Sequence, residues 1–346
     1  MPLILVHSRR FADHQTPPGH PECSERAAVM DVVADRRRAR GGEVVAPRMA
    51  SREQLARVHD ADYLARIGET AGVSVALDED TFTSPETYEV AHLAAGAAVD
   101  AVERAMGDGA RVLALVRPPG HHAERHRAMG FCVYNNAAVA AAHARSLGAR
   151  RVAIVDYDVH HGNGTQHIFE ADPSILYVSL HQFPFYPGTG DADEMGLGEG
   201  QGFTLNVPIE VGAVNDDYRL AFAELVEPAL REFAPDLLLV SAGFDAHERD
   251  PLGGMRLTTE AFAAMTSDLR RVADECCDGR IALVTEGGYD LRALAECLQR
   301  VVDVLAPDAA AHVAWPRDGT VSASRGRAAV AAVRQARALH ARTDSR

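Results

Sequence analysis

Aromatic side chains are scarce in this sequence. They make up 6% of 346 residues, with a single tryptophan, although hydrophobic residues reach 47%. Alanine and valine fill much of that fraction, a composition suited to helices packed closely on a buried sheet. Cysteine is thin as well. Cys23, Cys132, Cys276, Cys277 and Cys297 are odd in number, and no pair has zinc-site spacing, so they read as reduced thiols rather than disulfides or metal ligands. Positive charge is outnumbered, 35 Lys and Arg against 49 Asp and Glu, and the formal charge of −14 lacks the basic footprint of a non-specific nucleic-acid binder. The same excess fits ordinary solubility or a cationic partner. No apolar run approaches a membrane span. Residues 1–6 are apolar but far too short for a signal peptide, with no basic region or cleavage site, so the expected location is the cytoplasm. No repeat and no Gly-, Pro- or Ser-rich linker divides the chain.

What is present is an alternation. Short, nearly all-apolar runs at residues 3–6, 112–116, 151–155, 175–179, 237–241 and 281–285 read as strands covered on both faces. Longer helical patterns lie between them. Residues 84–106 carry Tyr88, Ala91, Ala95, Ala98 and Val102 at helical spacing, and residues 216–233 carry Tyr218, Phe222, Leu225 and Ala229. The pattern predicts an α/β fold, three-layer α/β/α, with a mostly parallel central sheet. In such folds sites form at the carboxyl ends of strands. Residues 188–202 are expected to be a surface excursion. The expected division is one domain over residues 1–310 and a C-terminal appendage over 311–346, with residues 329–342 helical.

Four polar clusters follow strands. Asp156-Tyr157-Asp158-Val159-His160-His161-Gly162-Asn163-Gly164 comes after residues 151–155; in extended backbone, positions two apart point the same way, so Asp158 and His160 can address one ion. Arg117-Pro118-Pro119-Gly120-His121-His122-Ala123 places adjacent histidines in a turn fixed by prolines and glycine. Ser241-Ala242-Gly243-Phe244-Asp245 offers a carboxylate that could complete a three-ligand site with an open position. Glu286-Gly287-Gly288-Tyr289-Asp290 would project Tyr289 into a cleft, where its hydroxyl could hydrogen-bond a developing oxyanion. Each cluster taken alone also reads as a solvated loop or turn. Four of them at four strand ends read as a metal hydrolase with a histidine pair.

These residues, with Gly130-Phe131-Cys132, resemble the signature set of the zinc-dependent histone deacetylase superfamily, which includes the acetylpolyamine amidohydrolases and has the arginase–deacetylase fold. The resemblance runs in order from about His20 to about Tyr289. His20-Pro21-Glu22, Asn163 and Asp250-Pro251-Leu252-Gly253-Gly254 resemble the class II branch and its bacterial relatives. It implies Asp158, His160 and Asp245 as ligands of Zn²⁺, with Fe²⁺ open because two carboxylates and one imidazole suit either. It implies His122 as general base, contacted by Asn163, and His121 as its electrostatic partner, contacted by Asp156. Tyr289 would polarise the scissile carbonyl. Phe131 and Tyr186 would flank an acyl-lysine tunnel in which Gly130 offers its carbonyl, with Arg26 at the foot and Leu252 at the rim. Structural K⁺ would be held by Asp156, Asp158, Ser179 and nearby backbone carbonyls. Tyr186 stands where many members carry phenylalanine.

The implied reaction is removal of acetyl or other acyl groups from the lysine side chains of an acylated peptide or protein. The nearest alternative is hydrolysis of an acetylpolyamine. Against it, the segment between Tyr63 and Ser84 is too short for the loop that narrows the bacterial polyamine enzymes, and Leu252 replaces the glutamate of a polyamine-selective relative. An arginase-type reaction would require additional Asp and His ligands for a second metal. An inactive acyl-lysine-binding module is the reading from a different class; the presence of Tyr289 weighs against it.

Overall fold

Alternate residues of each apolar run face opposite ways, and that periodicity builds the molecule. The computed structural model describes residues 1–310, 312–318 and 323–343. Eight strands, β1 (Leu3–His7), β2 (Glu43–Val45), β3 (Arg111–Leu115), β4 (Val152–Asp156), β5 (Ile175–Gln182), β6 (Thr204–Ile209), β7 (Leu237–Ala242) and β8 (Ile281–Thr285), form one sheet in the order β2-β1-β3-β8-β7-β4-β5-β6. Every neighbouring pair is parallel. Leu3, Leu5, Leu113, Val155, Val178 and Val240 join one apolar core with the helices Thr259–Cys276 and Leu291–Leu305. Ile4, Val6, Val112, Ile154, Tyr177 and Leu239 join a second core with the helices Thr87–Gly107 and Asn136–Ser146. Two cores, one on each sheet face, make the three layers.

The strand order positions the site. β3, β8, β7 and β4 are consecutive in the sheet, and each is followed by one of the four polar clusters. The chain leaves β4 toward β5 but leaves β7 toward β8, so the connections diverge between β4 and β7. That divergence opens a crevice at the carboxyl ends of the strands.

Several boundaries differ from the sequence expectation. Asp156 is the last residue of β4 rather than the first beyond it, paired in register with Ser179 of β5 and Ser241 of β7. The helix expected over residues 216–233 is present from Asn215 to Phe233, but a π-turn at Phe222–Val226 interrupts it. Pro228 lies just after the turn and has no N–H to continue the α-helical ladder. Residues 188–202 are not simply a surface excursion, because Gly190, Ala192, Met195 and Gly200 are buried and Gly190 lies against His161 and His181. The helix expected over 329–342 spans Ser324–Thr343 and buries Ala329, Val330 and Val333 in the first core. Of the expected appendage 311–346, residues 311, 319–322 and 344–346 lie outside the described residues. Among the described residues no helix is long and apolar enough to cross a membrane.

Candidate metal centre and acyl-binding cavity

Asp158 and His160 leave the end of β4 and Asp245 leaves the end of β7, so the crevice between those strands brings them together. One ligand atom from each lies within 4.8 Å of the others, and all three residues are buried. His160 Nδ1 is 3.2 Å from both Asp158 Oδ1 and Asp245 Oδ2. The far oxygens of the carboxylates are held by backbone: Gly287 N–H donates to Asp158 Oδ2 and Val159 N–H to Asp245 Oδ1, each at 2.8 Å. A Cβ at Gly287 would lie 2.2 Å from Asp245 Oδ2, so only glycine lets the turn after β8 close on both carboxylates. Burial pushes the Asp245 carboxyl up to about 7, with Asp158 adding to the shift. Against burial, the two carboxylates draw His160 up to about 9. Two buried carboxylates and an imidazole converging on one point form a donor set that fits a divalent cation, which would relieve their repulsion.

The histidine pair stands over this group. His121 Nδ1 is 3.0 Å from Asp156 Oδ2, and the same oxygen accepts from the Tyr177 hydroxyl at 3.0 Å. Although burial opposes charge, Asp158 and Asp156 hold His121 well above the ordinary histidine value. His122, its ring centroid 4.1 Å away, goes the other way: burial, then the positive neighbours His121 and His160, push it well below. His122 Nδ1 is 2.8 Å from Asn163 Oδ1.

A cavity of about 90 Å³ is lined by Asp80, His122, Gly130, Phe131, His160, Tyr186, Leu252 and Tyr289. Phe131 adopts a left-handed backbone, φ 68°, and its ring meets Tyr289 edge-on at 5.7 Å. The Tyr186 ring is edge-on to His122 at 5.2 Å. Arg26 is fully buried with its guanidinium 5.0 Å from the Tyr289 ring centre, and its Nε donates to the Gly288 carbonyl. Burial pushes the Tyr289 hydroxyl well above 10, so it keeps its proton. Ser179, beside Asp156 in register, is buried with its Oγ 2.9 Å from His181 Nδ1.

The structure thus gathers Asp158, His160, Asp245, His121, His122, Asp156, Asn163 and Tyr289 around one crevice, with Gly130, Phe131, Tyr186 and Leu252 along the cavity above, Arg26 behind Tyr289 and Ser179 beside Asp156. Sequence reasoning missed others. Asp80 lines the cavity from a remote acidic loop. Phe185 stacks on His160, centroids 5.4 Å apart and planes 16° apart. Glu286 accepts from the backbone N–H groups of Gly120 at 2.6 Å and His121 at 3.2 Å, fixing the histidine turn against β8. Asp250 accepts from Tyr289 N–H at 2.6 Å and Leu252 N–H at 2.9 Å. Glu286 and Asp250 stood in motifs already singled out, after a buried strand and in a Gly-rich turn, but without a role; Asp80 carries no such signal.

Residues 20–305 match the histone deacetylase domain. The human polyamine deacetylase HDAC10 is 44% identical over 317 residues, which cover 86% of this chain and 47% of that protein, so the chain spans about half its length. The histone deacetylase-like amidohydrolase of Pseudomonas aeruginosa is 43% identical over 265 residues, 74% of this chain and 68% of that one. The crystal structure of the HDA15 HD domain superposes with a TM-score of 0.87 at 35% identity, covering 97% of this chain and 94% of its own. A domain match over most of the sequence and a shared fold at this identity place the chain in one group: it belongs to the histone deacetylase family.

Proposed function

We propose that the protein hydrolyses acyl-lysine side chains, acetyl-lysine foremost, as a metal-dependent amidohydrolase. The observation that supports the substrate reading is the lining of the small cavity of about 90 Å³: the rings of Phe131 and Tyr186 and the apolar Leu252 would suit an alkyl chain carrying an amide. Asp158, His160 and Asp245 would hold Zn²⁺ or Fe²⁺. Bound there, the ion supplies Lewis-acid polarisation of the acyl carbonyl and lowers the pKa of water. Asp156, Asp158 and Ser179 would hold K⁺ with backbone carbonyls.

The protein's own groups divide the remaining work. His122 is neutral, with Nδ1–H donating to Asn163, which leaves Nε2 to take a proton from the attacking water and pass it to the departing amine. His121, paired with Asp156, stays cationic and offsets negative charge nearby. Tyr289 O–H donates to the acyl oxygen as charge develops there. Asp250 fixes that tyrosine through its backbone N–H.

A second reading, hydrolysis of acetylpolyamines, is favoured by Asp80, whose half-buried carboxylate lines the same cavity and could meet a distal ammonium. The two are separated by kcat/KM on acetyl-lysine peptides, longer acyl-lysines, acetylspermidine and acetylputrescine, before and after chelation, with elemental analysis of the purified protein. Acetyl-lysine peptides should be the best substrates, with activity lost on chelation. Leu252→Glu adds a charge at the cavity worth roughly 1 kcal/mol to a distal ammonium and should move the ratio toward acetylpolyamines about fivefold. A wild-type enzyme that prefers an acetylpolyamine to every peptide would overturn the acyl-lysine reading.

A further inference from the structure

A second line of hydrogen bonds leaves the site on the side away from the metal ligands. It begins at His122 Nδ1, 2.8 Å from Asn163 Oδ1. The Asn163 amide nitrogen is 2.7 Å from Glu124 Oε1 and 3.4 Å from Met129 Sδ. The same Glu124 oxygen is 2.9 Å from His167 Nδ1 and 3.9 Å from the Arg127 guanidinium. Glu124 is 5% exposed, and the line reaches solvent at His167 and Arg127. The two segments are brought together by close approach: a Cβ on Gly164 would sit 2.2 Å from the Ala123 carbonyl oxygen, so glycine there lets the start of helix Asn163–Phe169 close on residues 122–123.

The chemistry of these groups leaves one consistent arrangement. An amide donates from nitrogen and accepts at oxygen, whereas an ionised carboxylate only accepts. Burial pushes the Glu124 carboxyl up, but the hydrogen bond and charge of His167, with the Arg127 charge, favour its ionised form and help to hold it below its ordinary value. The Asn163 nitrogen must therefore face Glu124, and Met129 Sδ, a weak acceptor, favours the same orientation. The Asn163 oxygen then faces His122 and can only accept, so Nδ1 must carry the hydrogen. A neutral imidazole with Nδ1–H has a bare Nε2. With the amide reversed, two oxygens would meet at 2.7 Å with no hydrogen between them, and Nε2–H would point into the site.

We infer that Glu124 is a positioning residue for His122: its carboxylate fixes the orientation of the Asn163 amide, and that orientation selects the imidazole tautomer whose Nε2 is free to accept a proton. The kinetic consequence rests on the proposed role of His122 as base; the tautomer itself does not.

The test reads both. Glu124→Met keeps the length of the side chain but removes the strong acceptor. In the zinc-loaded protein, ¹⁵N shifts of labelled histidine, assigned with His122→Gln, should give Nδ1–H alone for His122 in the wild type and both tautomers in Glu124→Met. Its kcat should fall about fivefold or more with KM unchanged. Exchanging the groups gives a second reading that does not depend on that variant folding well. Asn163→Asp alone sets two carboxylates against each other and should slow the enzyme. Adding Glu124→Gln supplies an amide N–H to the introduced carboxylate and should restore part of the rate. Retention of the single Nδ1–H tautomer in Glu124→Met, or losses that simply add in the exchange, would overturn the inference. A changed tautomer with unchanged kcat would uphold the role of Glu124 and remove His122 as the base.

Discussion

His121 and His122 share a turn and a buried setting, yet their neighbours drive them to opposite charge states. Asp156 and Asp158 face His121 and outweigh its desolvation, while His122 is desolvated beside the positive His121 and meets a neutral amide. The division is useful chemically, since a base must be neutral to accept a proton and its partner gains by staying charged. Activity that depends on neutral His122 is lost as pH falls through its pKa, which is depressed, so the acidic limb of kcat/KM should lie below the ordinary histidine range. Asn163→Asp replaces the neutral contact with a carboxylate, favours the imidazolium and raises that pKa. The limb should then move to higher pH by about one unit or more. A pH series at constant metal occupancy checks this; an unmoved limb means that His122 is not the titrating group.

At the scale of elements, the site is a consequence of strand order, and strands were the most legible feature of the sequence. All six expected runs are strands because four to eight apolar residues bounded by turns have few other fates when both faces are covered. β2 and β6 escaped for physical reasons. β2 has three residues, none of them buried, and β6 carries Asn206 and Pro208, tolerated because it lies at the sheet edge. The metal-ligand group was legible because Asp158 and His160 lie two apart after a strand. Glu124 and Asp80 were not, since a charged residue in a loop looks the same whether it faces water or an amide. Nor was Glu22 in any structural role. It is fully buried, accepting from Arg26 at 2.9 Å and from Arg117 at 2.8 Å, with His14 3.4 Å away. Through Arg26, which also donates to the Glu286 and Gly288 carbonyls, it ties the start of helix Glu25–Ala39 to the turn carrying Tyr289. Glu22→Gln leaves two buried guanidinium groups facing a neutral amide and should cost roughly 3–5 kcal/mol in chemical denaturation. Although burial opposes ionisation, Arg117 and His14 hold Glu22 well below its ordinary 4.5. Its contribution is therefore complete above pH 4.5 and is lost as pH falls from there toward the folded value. The wild type should lose stability over that interval by an increment absent from Glu22→Gln.

Over the whole molecule, every one of the 35 positions counted as Lys or Arg is an arginine. On the proposed acyl-lysine reading, these residues offer no lysine side chain of their own to the cavity of another copy. The net charge of −14 adds a field that attracts cationic tails and falls off with salt. The proposed division into a catalytic unit over residues 1–310 and an appendage can be tested at the same scale. Helix Ser324–Thr343 lies over the edge strand β6, two strands beyond β4 in the sheet, and helix Asn215–Ala221. It is held there by buried Ala329, Val330 and Val333, by Gly326 N–H donating to Asp217 at 2.7 Å, and by Arg325 donating to the Val211 carbonyl at 2.8 Å. No residue of the metal group or the cavity is among these partners. Removing residues 324–346 deletes those side chains and exposes the apolar surface beneath them, a loss on the order of 4 kcal/mol. The Tm should drop by several degrees, while kcat/KM at 25 °C stays within about twofold of the intact chain. An unchanged Tm would mean that the helix adds nothing to the core it covers. Lost activity in a truncated protein with a native-like Tm would extend the catalytic unit past residue 310 and make the C-terminal helix part of it.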